Sequence, residues 1–137
     1  MTTNSADAPY IAGACNIGPS EIHRRYQVAI LGGIAFLALA TYFIISDAST
    51  ALRLVAFLPA MGASVGFVQA RRKFCLADGF AGLFNFDKSG DVKKVVDSAA
   101  LAADRAYAFK VLAISFIPAI ALTAATLVLS RVNSNNG

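Results

Sequence analysis

QVAILGGIAFLALATYFII, residues 27–45, carries no charged side chain. As a helix rising about 1.5 Å per residue it covers roughly 28 Å, close to the thickness of a bilayer hydrocarbon core. It offers no polar face to water, so its reading decides the fold: a membrane-spanning, all-α chain. Tyr26 and Tyr42 lie toward its two ends, where interfacial aromatics collect. A cleaved leader is the competing reading. The first 22 residues lack a charged segment leading into an apolar core, and no cleavage pattern is evident, so the segment reads as retained.

Two further runs repeat the signal. ALRLVAFLPAMGASVGFV, residues 51–68, holds one charge, Arg53, in its first turn, from where it can snorkel to the interface. VLAISFIPAIALTAATLVL, residues 111–129, holds none. The short SDAST link at 46–50 fits a tight turn, with Ser46, Asp47 and Ser49 as candidate caps, so spans one and two form a helical hairpin. The chain is 57% hydrophobic and 15% charged, against roughly 25% charged in an average soluble domain. A soluble three-helix bundle would need polar faces, which spans one and three do not provide. With a net charge of only +4, and cations placed beside apolar runs, nucleic-acid binding is excluded as a reading.

The cations set an orientation. Arg24 and Arg25 precede span one. Arg71, Arg72, Lys73, Lys88, Lys93, Lys94, Arg105 and Lys110 lie between spans two and three, leaving only Arg53 and Arg131 on the other side. The positive-inside rule then places the N-terminus and the long loop in the cytoplasm and the C-terminus outside. The expected organisation is a cytoplasmic segment (1–25), a transmembrane hairpin (26–70), an interfacial aromatic segment (71–90), a cytoplasmic helix continuing into the third span (91–130), and an outward, frayed tail (131–137).

Val92, Val95, Val96, Ala99, Ala103 and Ala106 follow three-four spacing, which predicts one face of a helix capped by Ser89 or Asp91. Without proline or glycine between Asp91 and Pro118, that helix should run unbroken into span three. Phe74, Leu76, Phe80, Leu83, Phe84 and Phe86 read as an interfacial or re-entrant segment bent at Gly79 and Gly82, covered by lipid or by a partner. Small residues at Gly62 and Gly66, and at Ala113, Ala121, Ala124 and Ala125, permit close helix contacts within the chain or with a partner. Pro59 and Pro118 read as packing adjustments rather than hinges. DKSGD at 87–91 has its glycine too early for a calcium loop and reads as a turn.

Candidate chemical groups are few. Cys15, Cys75 and His23 all fall on the predicted cytoplasmic side and would be the ligands of a metal or redox site, although no CxxC pair pre-forms half of one. His23, the only histidine, is the candidate axial ligand for a bound pigment or haem, and no cofactor is specified beyond that. No Asp, Glu, Lys or His lies within the spans, which argues against a self-sufficient transporter and leaves a homo-oligomeric channel or carrier as an alternative. Hydrolase, metalloprotease and nucleotide-loop motifs are absent.

CNIGPSEIHRR at 15–25 and GFVQARRKFCLADGFAGLFNF at 66–86 together resemble a group of small bacterial membrane proteins with a CNIGPxEI-type start and a QxRxxFC-type block after the second span. The matching residues are Cys15, Asn16, Gly18, Pro19, Glu21, Gln69, Arg71, Phe74 and Cys75. The resemblance implies a bacterial membrane protein and brings no activity with it; the expected location is the cytoplasmic (inner) membrane. The two blocks should meet at the cytoplasmic rim of the hairpin, with Glu21 pairing with Arg24, Arg71 or Arg72. The functional expectation is a non-catalytic accessory subunit, touching membrane lipids and other membrane subunits of a larger complex, respiratory or photosynthetic for example. The expected docking residues are Gly62, Gly66, Phe80, Phe84, Phe86, Val92, Val95 and Val96.

Overall fold

The computed structural model describes residues 10–86 and 93–136. Helix α1 spans Pro19–Ile45, with Pro19 in its first turn, where a missing N–H costs nothing. A turn through Asp47, in the left-handed region at φ 52°, leads to the short helix α2, Thr50–Arg53. Of the three candidate caps, Ser49 takes the role: its hydroxyl accepts from the Leu52 amide. A 3₁₀ turn, Leu54–Ala56, then leads into α3, Phe57–Arg72. Pro59 explains the tightening: it has no N–H to offer the carbonyl four residues back.

Helix α4, Leu76–Ala81, follows. Strands β1, Leu83–Phe84, and β2, Lys93–Lys94, pair antiparallel, with Leu83 opposite Lys94 and Phe84 opposite Lys93. Helix α5, Ser98–Asn136, is a single helix of 39 residues with Pro118 inside it. Three helical stretches, Pro19–Ile45, Thr50–Arg72 and Ser98–Asn136, are long and apolar enough to cross a membrane, as in a multi-pass membrane protein.

Two expectations are corrected here. The helix expected from 91 begins at Ser98, and the cap is Asp97, whose carboxylate accepts from the Ala100 amide at 2.9 Å. Val95 and Val96 precede it, Val95 buried and Val96 exposed; Val92 and the 87–91 turn lie outside the described residues. The tail expected to fray continues α5 to Asn136, and the Asn133 side chain donates to the Ile44 carbonyl.

Helices α1 and α3 approach closely because each puts a glycine against the other's backbone. A Cβ on Gly32 would lie 2.7 Å from the Ala63 nitrogen, and one on Gly66 would lie 2.8 Å from the Ala29 nitrogen. Gly66 is thus spent inside the hairpin, whereas Gly62 faces open space. Helix α5 packs a face of Ala100, Asp104, Ala108, Val111, Ser115, Ala119, Thr123, Thr126 and Ser130. Ala113, Ala121, Ala124 and Ala125, read as permitting contacts within the chain or with a partner, lie on the exposed side and so do not pack the helices of this chain together. Ser115, Thr123 and Thr126 return their hydroxyls to carbonyls one turn back, so small polar side chains enter the core already satisfied.

Candidate functional site: the cap at the basic end

The two sequence blocks meet where α1 begins and α3 ends. Asn16 is fully buried between them and satisfies its groups on three segments. Its amide donates to the Lys73 carbonyl (3.2 Å) and its carbonyl accepts from the Asn85 amide (2.8 Å). Its side chain grips one residue twice: Oδ1 accepts from the Cys75 amide (2.7 Å), and Nδ2 donates to the Cys75 carbonyl (3.2 Å). Gly18 donates to the Asn85 carbonyl, and a Cβ there would lie 2.7 Å from the Phe86 carbonyl oxygen. Only glycine lets these backbones come so close.

Helix α3 ends with Lys73 in the left-handed region at φ 55°, which turns the chain and sends Phe74 inward. Phe74 is fully buried and meets Tyr107 edge-to-face, with ring centroids 4.8 Å apart. Gln69 closes the turn twice: its carbonyl accepts from the Phe74 amide, and its side chain from the Leu76 amide at 2.8 Å. Gly79 leaves room for the Phe74 ring.

Glu21, buried at the start of α1, pairs with Arg24 (3.0 Å) and Arg25 (3.2 Å). Arg25 also donates to the Cys75 sulfur at 3.1 Å. The Asp78 carboxylate accepts from the same thiol, and burial pushes its pKa above the usual carboxylate range. Arg25 pulls that pKa back down, and Glu21 adds to the rise. On the far side, Asp104 is fully buried on α5 and holds the N-terminal turn: Oδ2 accepts from the Tyr10 hydroxyl and Oδ1 from the Gly13 amide, both at 2.7 Å. Burial, and then the bond to Asp104, raise the Tyr10 pKa. The Tyr10 ring stacks on Phe84 at 4.7 Å.

Cys75 is buried and bonded to Arg25, whereas Cys15 is half-buried with its thiol directed to the Ile17 carbonyl (3.8 Å). Burial raises the Cys15 pKa, which keeps that thiol protonated, against smaller opposite pulls from the Ile17 bond and Lys73. His23 is exposed on α1 beside Gln27. Among the described residues no three His, Cys, Asp or Glu side chains gather as metal ligands, so the set of Cys15, Cys75 and His23 does not form a site. The topology cations sit around this rim, with Arg24, Arg71, Arg72 and Lys73 exposed and Arg72 donating to the Tyr107 hydroxyl.

The aromatic segment folds onto its own chain. Phe80 meets Phe109 edge-to-face at 4.9 Å, and Phe84 lies between Tyr10 and Phe86. Tyr10, Gln69, Asn85 and Asp104 were not singled out for this cap from the sequence. Asn16, Gln69 and Asn85 did stand in the two quoted blocks, Asn16 and Gln69 among the residues that carry the resemblance; in each case the local signal was a polar residue flanked by apolar neighbours. Comparison with protein-family models, with curated proteins and with solved structures gives no match.

Proposed function

We propose that the chain is a non-catalytic structural subunit of a larger bacterial inner-membrane assembly, with the basic cap on the cytoplasmic side. The observation that carries this reading is where the polar side chains go. Asn16, Glu21, Gln69, Cys75 and Asp104, the groups with chemistry to offer at the rim, are all engaged in bonds that hold segments of the cap together. Groups already committed to structure are poor nucleophiles and poor ligands, because using them would break the cap.

The outer surface offers the complementary half of the reading. An open apolar groove of about 450 Å³ runs between α1, α3 and α5, lined by Tyr26, Ile30, Ala63, Phe67, Pro118 and Leu122. A groove between packed helices suits a helix of a partner, which would gain close van der Waals contact unavailable against fluid lipid. Ten of the twelve cations lie on the cap side of the spans, which supports the cytoplasmic placement of the cap.

Purification from native membranes in a mild detergent tests the reading. The expected result is a complex of fixed stoichiometry, lost in Leu122→Trp, which fills the groove from an exposed position while leaving the melting temperature of the isolated chain unchanged. A monomer, or a closed ring of this chain alone, in native membranes would overturn it.

A further inference from the structure

The opposite end of the molecule carries a second arrangement that the cap does not explain. Arg53 and Arg131 line one cavity of about 230 Å³, together with Thr50, Leu127 and Val128. Arg53 gives one N–H to Asp47 at 3.0 Å, but its Nε is buried with no acceptor. Arg131 makes no hydrogen bond or ion pair among the described residues. Two guanidiniums therefore line the cavity while one carboxylate, Asp47, pairs with Arg53 alone, leaving the Arg131 charge without a paired carboxylate among the described residues and donors unused on both.

From this cationic mouth an apolar groove of about 400 Å³ continues along the seam between α5 and the start of α3. Leu54, Phe57, Ile120, Ala124 and Leu127 line it, with Leu127 shared by both cavities. From Ile120 to Arg131 the helix rises about 16 Å, close to the depth of one leaflet, roughly half of a 30 Å core. Mouth and groove together thus match one leaflet in depth, the groove itself running about 10 Å along α5 from Ile120 to Leu127, enough for the upper part of an acyl chain.

We propose that this seam is a binding site for an anionic phospholipid. Its phosphate sits between Arg53 and Arg131, and one acyl chain lies along Leu54, Phe57, Ile120, Ala124 and Leu127. The planar guanidinium fork matches phosphate oxygens, and the surplus charge selects an anionic headgroup over a zwitterionic one. Asp47, exposed beside Arg53, would repel any acceptor that does not bring its charge to the Arg131 side.

Native mass spectrometry of the full chain, released from mixed micelles of phosphatidylglycerol and phosphatidylcholine, provides the test. One phosphatidylglycerol should be retained in preference to phosphatidylcholine. Arg131→Gln, at an exposed helix end, should lower that retention roughly fivefold, the effect of one basic residue at a charged interface. Ala124→Trp, which fills the groove from the surface, should lower it without touching either arginine. Inorganic phosphate at tens of millimolar should not displace the lipid. Equal retention of the two lipids, indifference to both substitutions, or displacement by free phosphate would each overturn the proposal.

Discussion

Asp78 shows how one side chain can oppose the structure that surrounds it. Its carboxyl is pulled out of water and lies near Glu21, and these raise its pKa more than Arg25 and the hydrogen bond from Cys75 lower it. The native state therefore holds the proton to higher pH than the unfolded chain does. Stability must fall as pH climbs from the ordinary carboxylate range through the raised native value, and it levels off above that. Removing the charge removes this limb. Asp78→Asn keeps an oxygen that can accept from the Cys75 thiol, so it should melt higher than the wild type at neutral pH and converge with it in acid. Thermal unfolding in detergent at a series of pH values checks this. A variant that melts lower at every pH would show that the carboxylate is a net contributor.

At the scale of elements, helix contact is decided by what is small rather than by what is apolar. Gly66 meets the Ala29 nitrogen and the Arg25 carbonyl, so any side chain there must push two backbones apart. Gly66→Ala should cost about 2 kcal/mol through overpacking. Gly62→Ala, four residues earlier and facing open space, should be neutral or slightly stabilising because alanine favours the helix. Equal melting temperatures for the two variants would refute the close approach. The same rule explains what could be read in advance. Three spans and the hairpin were legible because uninterrupted apolar length is a one-dimensional signal. The packed face of α5 was not. Its expected face ran through Ala99, Ala103 and Ala106; the buried one runs through Ala100, Asp104 and Ala108. When every face is apolar or alanine-rich, hydrophobic periodicity cannot choose between neighbouring stripes, and side-chain size and hydrogen-bond partners do so. Likewise, the meeting of the two blocks followed from topology, but Glu21 pairing with Arg25 depended on helical spacing within α1, and Asn16 on contacts 59 residues away.

On the scale of the whole molecule, the two ends are held by different physics. The turn end relies on Asp47–Arg53, the Ser49 cap and the Asn133 bond to Ile44, each with at least one exposed partner. The basic end is cross-linked by buried polar bonds joining the N-terminal turn, the α3 terminus, the Asn85 bridge and α5. Such a network should open as one unit, because losing its centre leaves buried donors and acceptors without partners. Asn16→Ala removes both side-chain bonds to Cys75 and orphans its amide and carbonyl, at a cost of about 2–4 kcal/mol. If the cap is one cooperative unit, the amides of Gly18, Cys75 and Asn85 should exchange with deuterium at least about 30-fold faster in the variant, and together. Amides at the middle of α1, facing the Gly32–Ala63 contact, should keep their protection, since nothing there depends on the cap. Acceleration confined to Cys75 would reduce the cap to independent bonds. Acceleration throughout α1 would make the cap a condition for the hairpin itself rather than a closure added to it.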